Sequence, residues 1–360
     1  GYSNSTNGTF NVNHGSDDAY LAKLSATGII EWEKLIGGSQ SDSFSKVIST
    51  TDGGFILVGT TQSNNFDIPV NYGQGDIFVV KINEDGVTDW INSYGGVANE
   101  NGNSLVEVSS DGYIISGTTS STSINGVTVV NHGGTDSILL KIDQDGTIQW
   151  VQTYGSNAND SGRDVIQCSD GGYATTNITN SYDFAGATGY HSIWVFKINT
   201  TGELLWQNVF GWALDWTYSL MQTNDNGYLI TGHSGTATTI PGGHGSEDAV
   251  LIKIDATGNL QWQNCYGGTA REYALAAFET IDGNYVFVGS SSSPNNGQVT
   301  GNQGSLDFWL VKVDANGNII WQNCYGGSSS ELGYMIKKTV DNGIIAIGRT
   351  SSNDGDVSSL

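Results

Sequence analysis

Positive charge is scarce: 13 Lys and Arg stand against 36 Asp and Glu in 360 residues, a net charge of −23. A surface of that sign repels phosphate backbones and anionic bilayers, which excludes nucleic acid as a partner. Long apolar runs are also missing. None approaches the roughly 18 residues of a membrane helix, so insertion by a helix is excluded. Charged residues of either sign make up 14% of the chain, well below the roughly 25% of an average soluble domain, which rules out coiled coils and most helical proteins. Cysteine is down to three residues. Cys265 and Cys324 share the frame Trp-Gln-Asn-Cys-Tyr-Gly-Gly in successive repeats, and such equivalent positions seldom bring Cα atoms within the roughly 7 Å of a disulfide. With Cys168 they are expected to be buried free thiols. The chain opens at Gly1 with no basic and apolar leader, so any export signal is expected to have been removed or to lie outside it. No Gly-rich phosphate loop, metal triad at helical spacing, Ser-His-Asp order or Cys-His pair is found. We therefore expect no cofactor, no bound metal and no catalysis.

Glycine is abundant instead, at 50 residues, and it falls into a repeat. A Trp closes one motif at Trp32, Trp90, Trp150, Trp206, Trp262 and Trp321, every 56 to 60 residues. Each copy reads Asp-x-apolar-x-x-Lys-apolar, then a turn ending in Gly, then the Trp strand. The turns Asn83-Glu84-Asp85-Gly86 and Asp255-Ala256-Thr257-Gly258 are typical: a leading Asx caps the turn and the closing Gly supplies positive φ. A second tight turn, such as Asp52-Gly53-Gly54 or Asp282-Gly283-Asn284, separates two further strands. Strands such as Ile77-Phe78-Val79-Val80 show little polar alternation, as expected of sheets packed on both faces. Four short strands per repeat, stacked radially, predict an all-β fold. The expected fold is a six-bladed β-propeller of four-stranded antiparallel blades, a single domain over residues 1–360. Each blade is expected to take its four strands from one repeat.

Asp18-Ala19-Tyr20-Leu21-Ala22-Lys23-Leu24 and Gly54-Phe55-Ile56-Leu57-Val58-Gly59-Thr60 carry a further likeness. The chain resembles the bacterial β-propeller repeat family of secreted and cell-surface proteins, similar to exported repeat arrays of Bacteroidetes-type bacteria. The resemblance runs along essentially the whole chain and implies an extracellular or cell-surface location. It departs from the family in having six repeats rather than seven, and in a Trp where a Tyr or Ser is more usual.

Both tight hairpins fall on one face of such blades, leaving the long Gly-, Ser-, Asn- and Thr-rich connections on the other, where binding usually sits. Three residue sets lie there. Asp18, Asp76, Asp136, Asp248 and Asp307, a series broken by Ser192, together with Asp42, Glu100, Asp160, Asp215, Glu272 and Glu331, recur along the repeats and are expected to satisfy loop N–H groups. His14, Tyr72, His132, His244 and Gln303 share one loop frame and form a candidate polar ring at the channel mouth, for a metal or an anion if not simply loop anchors. The third set breaks the repeat. Gly211-Trp212-Ala213-Leu214-Asp215-Trp216 and Tyr190-His191-Ser192 replace the usual loops, and two extra indoles beside a carboxylate suit a sugar-stacking platform. Trp212, Asp215, Trp216, Tyr190, His191 and Arg271 are thus the candidate ligand site. The expected function is a secreted or cell-surface noncatalytic binding or adhesion module, its partner an extracellular glycan or a surface protein. The alternatives are a scaffold or spacer with flanking domains in a longer protein or filament, and a glycoside-cleaving site built on Asp215, Glu272, Arg271 and His191.

Overall fold

The computed structural model describes residues 2–4, 13–108, 111–210, 215–235 and 240–357. They are all-β, with no α-helix among them and a single 3-10 turn at Gly355–Val357. The chain divides into two compact units, Gly1–Gln167 with Thr200–Glu203, and Cys168–Asn199 with Leu204–Leu360.

In the first unit β1 (Tyr2–Ser3), β2 (Asp18–Leu24) and β3 (Ile30–Ile36) form a three-stranded sheet. A four-stranded sheet follows from β4 (Asp42–Ser49), β5 (Phe55–Thr61), β6 (Asp76–Ile82) and β7 (Thr88–Tyr94). The next holds β8 (Glu100–Glu107), β9 (Tyr113–Thr119), β12 (Asp136–Ile142) and β13 (Ile148–Tyr154), with the small ribbon β10 (Ser123–Ile124) and β11 (Val127–Thr128) in its long loop. The last strand of this unit is β14 (Asp160–Gln167). The second unit starts with β15 (Tyr173–Thr179), β16 (Ser192–Ile198) and β17 (Leu204–Phe210). Two four-stranded sheets follow: β18 (Asp215–Gln222), β19 (Tyr228–Ser234), β20 (Asp248–Ile254) and β21 (Leu260–Tyr266), then β22 (Glu272–Glu279), β23 (Tyr285–Ser291), β24 (Asp307–Val313) and β25 (Ile319–Tyr325). The pair β26 (Glu331–Lys338) and β27 (Ile344–Thr350) ends the unit. All pairings within these sheets are antiparallel, the arrangement of propeller blades.

The sheets do not follow the repeat boundaries expected from sequence. Each four-stranded sheet takes the last two strands of one repeat and the first two of the next, as Asp42–Ser49 through Thr88–Tyr94 shows. The reason lies in the connections. The long loop 62–75 brings the chain straight back, so that Thr61 pairs with Asp76 and the whole of β5 zips onto β6. The short Gly-Gly-x-x-x-acid link instead steps to the next sheet, pinned by Gly96 N donating to Glu100 Oε2 at 2.7 Å and by a parallel bridge between Gly75 and Asn99.

Middle strands are buried along their length, β6, β12, β16 and β20 throughout. Ile56, Val58, Ile77 and Val79 of one sheet pack with Leu105, Ile115, Ile138 and Leu140 of the next. In the second unit Leu229 and Leu251 pack with Phe287, Trp309 and Val311. Each such side chain contributes about 1.5–3 kcal/mol on burial. The repeated Trp has a second task. Trp32, Trp90 and Trp262 donate Nε1–H to the carbonyls of Glu84, Gln144 and Ala315, in the outer hairpin turn of the following sheet. The indole lies so close over that turn that a Cβ on Gly86, whose φ is +82°, would stand 2.8 Å from the Trp32 ring. The repeated Lys ties the hairpins within a sheet: Lys81 to Asp52 at 2.8 Å, Lys141 to Asp111 at 2.7 Å, Lys253 to Asp225 at 2.8 Å. All three cysteines are buried and free.

Candidate functional site

In the second unit the loop-rich face departs from the repeat at the start of β18 and β22. Register identifies the departures. Where β4 and β5 pair Ser43 with Thr60, and β8 and β9 pair Asn101 with Thr118, β18 and β19 pair Trp216 with His233. In β22 the corresponding residue is Tyr273, opposite Ser290. A bulge between Thr217 and Ser219 sets Tyr218 beside the same place. Small hydroxyl and amide side chains are thereby replaced by rings in two adjacent sheets.

These rings gather around one imidazole. His233 stacks parallel to Trp216 at 6.5 Å and meets the edge of Tyr273 at 4.9 Å, and its Nδ1 is hydrogen-bonded to the Tyr218 hydroxyl at 2.9 Å. His191 meets the Trp216 ring edge-on at 4.9 Å. The Tyr273 hydroxyl donates to Glu247 Oε2 at 2.8 Å, and Arg271 Nε stands 3.6 Å from the same oxygen. His233 is buried, whereas Trp216, His191, Tyr273 and Glu247 are half-buried and Arg271 is exposed. The result is an aromatic floor with a charged border.

Burial pushes the His233 imidazole down to about 4, with the Arg271 and His191 charges adding to the shift against Glu247. At neutral pH it is an uncharged ring. Burial, reinforced by the hydrogen bond and charge of Glu247, pushes the Tyr273 hydroxyl up to about 12, so it stays protonated and keeps donating. Chemically, the cluster offers apolar ring faces for C–H surfaces, one carboxylate, one guanidinium and a neutral imidazole.

The six residues expected here divide. His191 and Trp216 touch each other, and Arg271 reaches the cluster through Glu247. Tyr190 is exposed beside His191, its carbonyl accepting from Thr188 and Ser192 at 3.2 and 3.0 Å. Asp215 is 0% exposed, with its backbone N donating to the His191 carbonyl at 2.9 Å. Trp212 lies outside the described residues. The carboxylate pair Asp215 and Glu272 does not open to solvent, since Glu272 is also 0% exposed and accepts from Gly268 N and Ser291 Oγ. Sequence reasoning missed His233, Tyr218, Tyr273 and Glu247. His233 and Tyr273 are readable, once the strands are paired, as rings where β4, β5, β8, β9 and β23 carry Ser, Asn or Thr, whereas β26 and β27 place Leu332 and Arg349 there; Tyr218 is not, since Tyr334 stands at the same bulge in β26. Glu247 has no such signal.

His14, Tyr72, His132, His244 and Gln303 hold one position in their repeats. Each donates its backbone N–H to the Asp four residues on, at 2.6 to 2.8 Å. They stand at the entrance of the strand that begins with that Asp, which in the four-stranded sheets is third in chain order, not at the first strand of the sheet, as the shifted sheet boundaries require. Among the described residues no three His, Cys, Asp or Glu are grouped to hold a metal ion. The recurring acids accept loop N–H groups, as Asp42 does from Gly38 and Glu331 from Gly327.

No family model matches the chain, and no curated protein matches it, so the repeat-family resemblance has no support from either. Solved structures do match. A protein of unknown function from Dyadobacter fermentans has a TM-score of 0.47 at 10% identity, over 87% of this chain and 95% of that one. A protein assigned as a gluconolactonase has a TM-score of 0.38 at 11% identity, over 85% and 89%. A thermostable family-43 glycoside hydrolase has a TM-score of 0.38 at 11% identity, over 90% and 98%. The expectation that the chain is not an enzyme is withdrawn on this finding, because two of these similar structures are enzymes by name.

Proposed function

We propose that the protein is an extracellular or cell-surface β-propeller module of six blades that takes a saccharide on the aromatic cluster around His233. The observation that carries the reading is the replacement of Ser, Thr and Asn by Trp216, His233 and Tyr273 at one place on the loop-rich face. Folding accounts for residues that recur in every repeat; it does not account for these. Half-buried Trp216 stacks on a sugar ring, Glu247 accepts from its hydroxyls and Arg271 borders them.

A glycan array on the whole chain, followed by calorimetry on the hits, tests this. Trp216→Ala should weaken binding about 10- to 100-fold, the scale of one well-packed aromatic anchor, with the melting temperature nearly unchanged. Lost stability with intact affinity would make Trp216 a packing residue and end the assignment.

A second reading has its own observation. His233 and Tyr273 both titrate far from their ordinary range next to a carboxylate, a pattern concentrated at reactive sites. On that reading the bound saccharide is also acted on, with Glu247 as the acid or base. Glu247→Gln should then abolish turnover of an array hit while the saccharide still binds.

A further inference from the structure

Around the loop between β5 and β6, in the first unit, three glutamines stand where the fold asks for a small residue. Backbone bonds define the places. Gln40 N donates to Ser63 Oγ at 2.9 Å, and the same bond is made elsewhere by Ala98, Ala270 and Ser329. Gln62 N donates to the Ser41 carbonyl at 3.0 Å, as Ser120, Ser292 and Ser351 do at their own links. Gln74 N donates to the Ala98 carbonyl at 3.1 Å, a bond repeated by Gly134, Ser246 and Ser305. Alanine, serine or glycine completes each bond as well as glutamine does, so folding leaves the three long side chains unexplained. Asn4, Asn180 and Tyr190 interrupt single columns, but among the described residues only this place carries a glutamine in all three.

The glutamines border one pocket of ≈ 520 Å³, whose side chains are Gln40, Gln62, Asn64, Asn71, Gln74 and Asn99. That volume lies within the range of roughly 300–1,000 Å³ typical of small-ligand sites. Every side chain in the lining is an amide, with no charged group, ring or aliphatic chain among them. Asn99 Nδ2 donates to Gln74 Oε1 at 3.0 Å, which fixes one pair in advance. The side-chain amides of Gln40, Gln62 and Asn64 have no hydrogen-bond partner among the described residues.

Asn71 adds a departure of its own. Asn13, Asn131 and Asn302 hold the same place in their loops and donate Nδ2 to the carbonyls of Ser3, Ser120 and Ser291 at 2.9 to 3.2 Å. Asn71 Oδ1 keeps the shared turn by accepting from Gly73 N at 2.8 Å, but its Nδ2 is buried with no partner among the described residues. A buried donor left unpaired is costly, and an oxygen arriving in the pocket would pair it.

We propose that this amide pocket is a second saccharide site, for an uncharged sugar held through its hydroxyls. A side-chain amide presents two donors and an acceptor side by side, which matches neighbouring hydroxyls that each donate and accept. An anion finds no cation in the lining and meets a net charge of −23. A metal ion finds no carboxylate there, and an apolar ligand finds no apolar surface. Without a ring to stack on, the pocket reads the hydroxyl edge of a sugar, whereas the cluster around His233 offers ring faces. The pocket lies wholly in the first unit and the His233 cluster in the second, so neither assignment depends on the other.

Calorimetry on the whole chain carrying Trp216→Ala, which disables the His233 cluster, tests this with free glucose, galactose, mannose and their disaccharides. A glycan array of the same sugars, run beside it, separates a free sugar from a surface-linked one as the source. At least one of these sugars should bind, and glucuronate should bind at least about tenfold more weakly than its neutral counterpart. Adding Gln40→Ala, Gln62→Ser and Gln74→Ser installs residues that other sheets carry at these places. The melting temperature should hold while affinity falls by about tenfold or more, the scale of several lost hydrogen bonds. Binding that ignores these three changes overturns the proposal, as does a lower melting temperature with intact affinity. Equal binding of glucuronate, or no binding in any arm once Trp216 is replaced, overturns it too. Wild-type affinity in Trp216→Ala that is lost with the three glutamines supports this site and ends the assignment of the His233 cluster, so the two readings fail separately.

Discussion

His233 is 8% exposed, and its neutral imidazole makes the candidate site a source of pH dependence. Its titration lies near 4 in the folded protein, below the ordinary 6.5 of the unfolded chain. Between those values only the unfolded chain binds the proton, so the stability it contributes is fully present above about pH 6.5 and is lost as pH falls towards 4. His233→Gln removes this difference. Urea unfolding of the wild type should lose about 2–3 kcal/mol relative to the variant between pH 7 and pH 4. Parallel curves for the two proteins would show that His233 is hydrated and chargeable in place. In sequence, His233 is one polar residue among many near a strand end. It stands out only beside Thr60, Thr118 and Ser290, and that alignment needs the pairing of the strands. Trp216 was legible earlier because an indole in a Gly-rich loop is conspicuous by itself.

The hairpins were legible because a tight turn is a local affair. Asn83 Oδ1 accepts from the N–H groups of Asp85 and Val87 at 3.0 and 2.9 Å, and Gly86 supplies the positive φ, all within one short segment. The sheet boundaries were not legible, because a period of 56 to 60 residues looks the same from any starting point. What decides them is whether the loop after β5 returns the chain or carries it onward, and this rests on contacts made far from the loop. The Lys is legible as a fixed position of the repeat motif, while its partner in the preceding hairpin turn of the same sheet, Asp225 for Lys253, is not. Lys253 is buried with its Nζ on Asp225, Gln261 and the Ile254 carbonyl, whereas Asp225 is half exposed. Asp225→Ala should cost about 1–2 kcal/mol by denaturant unfolding, a charged hydrogen bond discounted for solvent screening. Lys253→Met with Asp225→Ala should recover part of that loss, since no buried ammonium is then left short of a partner.

Across the whole molecule four buried carboxyls shift in one direction. Asp18, Asp76, Asp248 and Asp307 are all pushed up by burial, Asp76 to about 6 with help from the charge of Glu100. A carboxyl raised above its unfolded value of 3.8 contributes stability that is present below that value and is lost as pH rises through the folded one. For Asp76 the window runs from about 4 to about 6. Four such groups oppose the single His233, and protonation also relieves a net charge of −23. The melting temperature should therefore be higher near pH 5 than near pH 7.5, and added salt should narrow the gap by screening the net repulsion. In His233→Gln, which lacks the opposing imidazole, a melting temperature that falls between pH 7.5 and 5 would mean these carboxyls are charged and solvated.

That each four-stranded sheet is sewn from two adjacent repeats has an evolutionary consequence. A duplication or loss of one period leaves no scar wherever it starts, because the cut removes one half of a sheet and restores the same half from the neighbouring copy. Gly95 and Gly155 occupy the same point of the cycle, each followed by an N–H donor to the acid that opens the next strand, Gly96 to Glu100 and Ser156 to Asp160. Excising residues 96–155 should yield a shorter protein that is one sheet smaller, with an unchanged circular-dichroism signal per residue. Length in such a lineage can drift by whole units without passing through a misfolded intermediate.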